Sequence, residues 1–183
     1  MAALLATVHG DRYSRGTLLA TYAELLDGYL RDPRPESLRA LREAILEAPN
    51  FRPDLEITEM IAPMMSVGDY AGAVAAVHGL MPGAIFSPSA HAALADAQRG
   101  LGNPEQAQRE SILAQAALDS IISTGEGTES EPWSVLRTSD AYDVVLASGK
   151  TPRSQVAVGK LDRIVCTDST VWFFDTSNDF ART

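Results

Sequence analysis

The sequence predicts a mostly α-helical chain with a small α+β tail, in which antiparallel helix pairs precede a small antiparallel β-sheet. Three observations predict it. Apolar residues recur at helical spacing in six successive segments between Thr17 and Ser123, separated by Pro- or Gly-containing breaks. The step along the chain from Gly68 to Gly102 equals the step from Ala73 to Ala107. After Gly125 the texture changes to runs rich in Val, Ile and aromatic residues. These divide the chain into an N-terminal extension (1–16), a helical region (17–124) and an α/β tail (125–183) packed on the helices.

The elements follow in order. "TLLATYAELLDGYL" places Leu18, Leu19, Tyr22, Leu25, Leu26 and Tyr29 on one stripe. "DPRP" at 32–35 ends that helix, because proline lacks an amide donor and restrains its predecessor. "ESLRALREAIL" puts Leu38, Leu41, Ile45 and Leu46 on one side, and "APNFRPD" at 48–54 is a turn. "LEITEMIAPMMSV" is a third helix, kinked or loosened by Pro63. "DYAGAVAAVHGL" is a fourth, "MPG" at 81–83 a break, "SPSAHAALADAQRGL" a fifth and "PEQAQRESILAQAALDSIIS" a sixth. Short turns between short helices make antiparallel neighbours.

The step shared by the two Gly/Ala pairs is the tetratricopeptide period, in which a helix–turn–helix unit recurs every ~34 residues. The turn of such a unit needs a residue that accepts a left-handed backbone, which Gly68 and Gly102 supply. Asp69 and Asn103 follow as candidate caps, and Ala73 and Ala107 allow close helix contact. The second unit loses the tyrosine of "GDY". The helices at 17–31 and 36–48 read as a degenerate first unit without the glycine, and a generic helical bundle is the alternative to the repeat.

In the tail, "WSVLRT" reads as a strand and "SDAYDVVLASG" as a short helix, with Ser139 as cap and Gly149 as stop. "QVAVGKLDRIVCT" and "TVWFFDT" read as strands of a hairpin turning at Asp168–Ser169, giving about three strands in all. A hairpin alone would be marginal, so the sheet must dock on the last helices.

"IISTGEGTESEPWSVLRTSDAYDVVLASG", with "LDRIVCTDSTVWFFD" beyond it, resembles an uncharacterised bacterial domain-of-unknown-function family with tetratricopeptide-like helices and a short α/β tail. The likeness rests on the turn from Thr124 to Gly127, on Asp140 to Asp143, and on the closing strand from Trp172 to Asp175. It spans roughly 17–177. Phe173 stands where that family has tyrosine. The resemblance implies the architecture and, since the family carries no established activity, no reaction.

Composition narrows the function classes. The net charge is −9, and residues 54–150 hold the whole excess, with thirteen acids against four basic residues. That segment repels a phosphate backbone, so nucleic acid is not an expected partner; a solvated acidic surface or a basic protein partner is. No run of about 18 apolar residues occurs, so no membrane span is expected. The N-terminal apolar run lacks the basic flank of a secretory signal. With the lone Cys166, these features read as a cytoplasmic protein.

Chemistry-bearing patterns are sparse. His9, His78 and His91 lack partners at metal-ligand spacing, and Cys166 reads as a buried, inert thiol. The glycines of "GEGTES" lack the lysine and the strand–loop–helix setting of a phosphate loop. Asp143, Asp162, Asp168 and Asp175 are the one carboxylate set that could gather for acid–base or metal work, as in a small hydrolase. Each also has a local structural reading, Asp168 as a turn residue and Asp143 as a helix-end support or a partner for Arg163. No catalytic, metal or cofactor site is therefore expected.

Binding remains. Stacked helix pairs form a concave face from the first helix of each unit. The repeat register places Thr58, Ala62, Met65 and Ser66 there in one unit, and Ser89, Ala92, Asp96 and Arg99 in the next. Such a surface suits a protein or peptide partner, or the chain's own tail. The expected function is a non-enzymatic adaptor; an immunity-type or regulatory protein masking a basic partner, and a hydrolase using the tail acids, are the alternatives. Partner identity and oligomeric state stay open at this level.

Overall fold

The computed structural model describes residues 21–178, so the predicted N-terminal extension, the start of the first helix, His9 and the last five residues lie outside it. Helix α1 occupies 21–31 and is followed by α2 (Pro35–Glu47), α3 (Ile57–Ser66), α4 (Tyr70–His78), α5 (Pro88–Gly100) and α6 (Pro104–Ile122). The tail adds β1 (Trp133–Ser134), α7 (Thr138–Ala147), β2 (Pro152–Val158), β3 (Leu161–Cys166) and β4 (Val171–Asp175). The molecule is mostly α with a small α+β tail. Among the described residues no helix is long and apolar enough to cross a membrane.

The two central hairpins turn in the same way. Gly68 and Gly102 both have φ +75°. The Asp69 N–H donates to the Met64 carbonyl and the Gly68 N–H to Met65. At the equivalent places of the second hairpin, Asn103 donates to Gln98 and Gly102 to Arg99. This is the bond pair of a glycine-terminated helix, and it satisfies carbonyls left open at the helix end. The caps differ. The Asp69 side chain accepts the Gly72 N–H at 2.9 Å, whereas the Asn103 side-chain amide donates back to Gln98. Ala73 and Ala107 are buried where the helices approach. Leu55, Ile57, Ile61, Val77, Ala90, Leu94 and Ala97 join Ala73 in the core of α3, α4 and α5. Pro63 stays within α3, which runs on to Ser66.

Helices α1 and α2 do not extend that core. Leu26 and Tyr29 of α1 and Leu38, Leu41 and Ile45 of α2 pack with Phe86, Ala117 of α6 and Leu136 of the tail. The edge of the Tyr29 ring meets Phe86, with centroids 5.5 Å apart.

The sheet has four strands in the order β1-β4-β3-β2, and it is mixed: β1 runs parallel to β4, while the other pairings are antiparallel. The expected small antiparallel sheet of about three strands is present as β2, β3 and β4, with β1 added in parallel as a fourth. Gly159, at φ +64°, turns the chain between Val158 and Leu161, so the stretch read as one strand is two. The crossover through α7 brings β1 in parallel beside β4. Ile164 lies opposite Trp172 and Asp162 opposite Phe174; these residues face α7. Ile164, Cys166 and Phe174 pack there with Ala141, Val144 and Val145 of α7, Trp133 of β1 and Ile121 of α6. Tail and helices thus contribute to each other's cores: Ile121 of α6 sits in the tail core and Leu136 of the tail in the core of α1 and α2.

Candidate functional site

The groove positions read from the repeat register divide. Thr58, Ala62 and Ser66 on α3 and Ala92, Asp96 and Arg99 on α5 are exposed, and Met65 is half-buried against the hairpin core. Asp96 and Arg99 form an ion pair one helical turn apart. Ser89 is a correction: it is buried, at 8% exposure, and does not line an open groove. It lies in the first turn of α5, where α7 docks, and its N–H donates to Asp143 Oδ2 at 3.0 Å. The tail therefore covers one end of the line and leaves the rest open.

The turn ends of the hairpins carry a feature absent from that register. Val67 is 79% exposed and Leu101 43% exposed. They are separated by the same step as Gly68 and Gly102, each immediately before a left-handed glycine. Their turns are neighbours, because the Tyr70 ring beyond the first packs on Gly100 of the second. Two large apolar side chains thus stand at matching places beside Ser66 and Arg99.

The densest polar chemistry is buried at the joint between helices and tail. The amide of Asn50 donates to the Leu80 and Met81 carbonyls, both at 2.9 Å, and its oxygen accepts the Gly83 N–H. This ties the 48–54 turn to the 81–83 break. The Arg137 guanidinium bridges the two, donating to the Arg52 and Gly83 carbonyls, and lies 4.7 Å from the centre of the Phe51 ring. Asp140 returns one oxygen to the Arg137 N–H at 3.1 Å, as an acid three residues into a helix does at its N-terminus. Its other oxygen, Oδ1, is buried without a hydrogen-bond partner. Arg42 of α2 reaches in to Ser134, donating to its hydroxyl and its carbonyl.

Burial sets the electrostatics here. It pushes the Asp140 carboxyl up, against the pull of Arg137 and Arg42. It pushes Arg42 down to about 10. Asp143 rises to about 7, through burial first and the nearby Asp140 second; the Ser89 hydrogen bonds oppose the rise and Glu56 adds to it. His91 is buried between α5 and α6, with Nδ1 2.7 Å from Glu110 Oε2 and Nε2 2.8 Å from the Ile85 carbonyl. A carbonyl only accepts, so Nε2 carries a proton. These groups hold helices together.

The tail acids do not gather. Asp168 pairs with Lys150 at 2.5 Å and accepts the Thr170 N–H in the β3–β4 turn; those bonds hold its carboxyl well below the usual range. Asp175 accepts the Ser177 N–H, and Asp143 is turned to α5 and not to Arg163. Asp162 lines a wide-open recess of about 480 Å³ at the β2–β3 turn, with Lys160 as its basic neighbour. Cys166 is buried. Ser139 donates its hydroxyl to the Leu55 carbonyl at 3.0 Å and does not cap α7, whose cap position is Arg137.

The joint is not legible as a site in the sequence, because Arg42 and the 50–52 and 80–83 segments lie far along the chain from the 134–140 segment that they meet. The signal that is present is local: "RTSD" at 137–140 is a helix start with an acid placed to return to the backbone. Comparison of the chain with protein-family models, with curated proteins and with solved structures yields no match.

Proposed function

We propose that the protein is a non-enzymatic interaction module that binds a protein or peptide through the exposed surface of its two central hairpins. The observation that carries this reading is the pair Val67 and Leu101, exposed at matching positions on neighbouring turns. Single exposed apolar side chains are ordinary; a repeated pair beside an open polar face suits an apolar anchor ringed by hydrogen bonds. Thr58, Met65, Ser66, Asp96 and Arg99 supply the polar and flexible part of that surface. Ser89 is excluded by its burial.

The acid excess of residues 54–150 favours a basic partner, which would make the module a regulatory or immunity-type protein that masks a cationic surface. The hydrolase reading has less support, since the tail acids are separated and each serves its own turn or helix end. A cytoplasmic location fits the same reading.

The test is capture of partners from the native host with wild-type protein, followed by binding titrations of the recovered partner. Val67→Glu with Leu101→Glu should weaken binding at least tenfold while the melting temperature holds, and Arg99→Ala should weaken it less. Unchanged affinity in both variants would remove this surface from consideration. Affinity that falls steeply with salt marks the basic-partner form.

A further inference from the structure

The sheet has a second face, which α2 meets at its β1 edge, where Arg42 donates to Ser134 opposite Asp175; the β2–β3 part of that face carries its exposed apolar side chains. Val156 lies opposite Arg163, Val158 opposite Leu161, Val165 opposite Val171, and Arg163 opposite Phe173. Residues opposite one another share a face, so these side chains point away from α7. An antiparallel sheet with one open side ordinarily turns polar residues outward. Here Val156 is 52% exposed, Val158 is 39% exposed, and Leu161, Val165 and Phe173 are half-buried. Arg163 sits in their midst with no ion pair among the described residues. Asp175 is on the same face, opposite Leu161 and two residues beyond Phe173, and is not bridged to Arg163.

We propose that this outer face is a self-association surface that takes the same face of a second copy of the chain, with Arg163 of each copy meeting Asp175 of the other. One cation and one anion on an apolar ground are self-complementary under a two-fold axis between them, because the axis exchanges their places. Local charge permits the approach: residues 151–183 hold four basic and four acidic groups, and the acid excess lies in 54–150. Desolvation on contact strengthens each crossed pair and penalises any pairing that leaves Arg163 buried and alone. Three short strands bury less than the roughly 800 Å² per partner of a standard interface, so the association is a weak, concentration-dependent one. A dimer of this kind leaves the hairpin surfaces of both copies free.

Analytical ultracentrifugation of the full chain, from the low-micromolar to the high-micromolar range, tests the proposal. The wild type should show a monomer–dimer equilibrium. Val156→Lys, on an exposed edge position, should weaken it at least about tenfold, and Arg163→Glu similarly. Arg163→Glu combined with Asp175→Arg should restore it to within about threefold, with melting temperatures held throughout as the folding control. A wild type monomeric at every concentration overturns the proposal, whether the face stays bare or is covered by the chain's own ends. So does a Val156→Lys variant that dimerises like the wild type, or a charge exchange that fails to rescue.

Discussion

The ring of Tyr70 covers the Cα of Gly100: a Cβ at position 100 would stand 2.6 Å from three of its ring carbons. The first hairpin places an aromatic side chain just after its turn, and the second answers with a residue that has no side chain. Gly100→Ala should therefore lower stability by about 1–3 kcal/mol, despite the better helix propensity of alanine. In a Tyr70→Leu background the same change should be much less harmful, which a double-mutant cycle by chemical denaturation measures.

Ala73 and Ala107 occupy equivalent close contacts, at 1% and 3% exposure. Leucine at either place should overpack the contact and cost about 1–3 kcal/mol. Neutral shifts in the melting temperatures of both variants would contradict the packing described above.

Arg137 neutralises Asp140 inside the joint and bonds two separate turns. Arg137→Ala leaves Asp140 buried and both carbonyls without their donor, so a loss of about 3–5 kcal/mol is expected. Arg137→Met with Asp140→Leu removes both charges together and should be less damaging than the single change, by the part of the cost that comes from the buried charge and not from the carbonyls. Urea unfolding of the two variants decides it.

Asp143 makes the stability pH-dependent. Its carboxyl sits at about 7 in the folded chain against an ordinary 3.8, so the folded state keeps a proton that the unfolded chain releases. This contribution is complete below the unfolded value and is lost as pH rises through about 7. The slope cannot exceed about 1.4 kcal/mol per pH unit for one proton. Asp143→Asn can still accept the Ser89 N–H and carries no charge. Its stability should fall less than that of the wild type between pH 6 and 8, by about 1 kcal/mol. Parallel profiles for the two proteins would count against the assignment.

Much of the helical layer is legible in the sequence because its determinants are local. Apolar spacing marks the helices, and Gly68 and Gly102 mark turns that only a left-handed backbone can make. Ser89 escapes its register because a register counts positions along the chain, whereas its burial comes from α7, which lies beyond the whole of α6. Gly159 in "VAVGKLD" is readable as a hairpin turn, yet the unbroken Val-rich alternation around it conceals the division.

Local residue chemistry, then, determined that the chain would coil into short antiparallel helices with a β-rich tail, because helix stripes, caps and turn glycines act over a few residues. Only the tertiary structure decided that β1 returns in parallel beside β4, that Arg137 joins the 48–54 turn to the 81–83 break, and that Arg163 stands on an open apolar face. Those outcomes depend on which segments meet across the chain. Burial and strand pairing between distant residues are properties of the packed molecule, and no run of neighbouring residues encodes them alone.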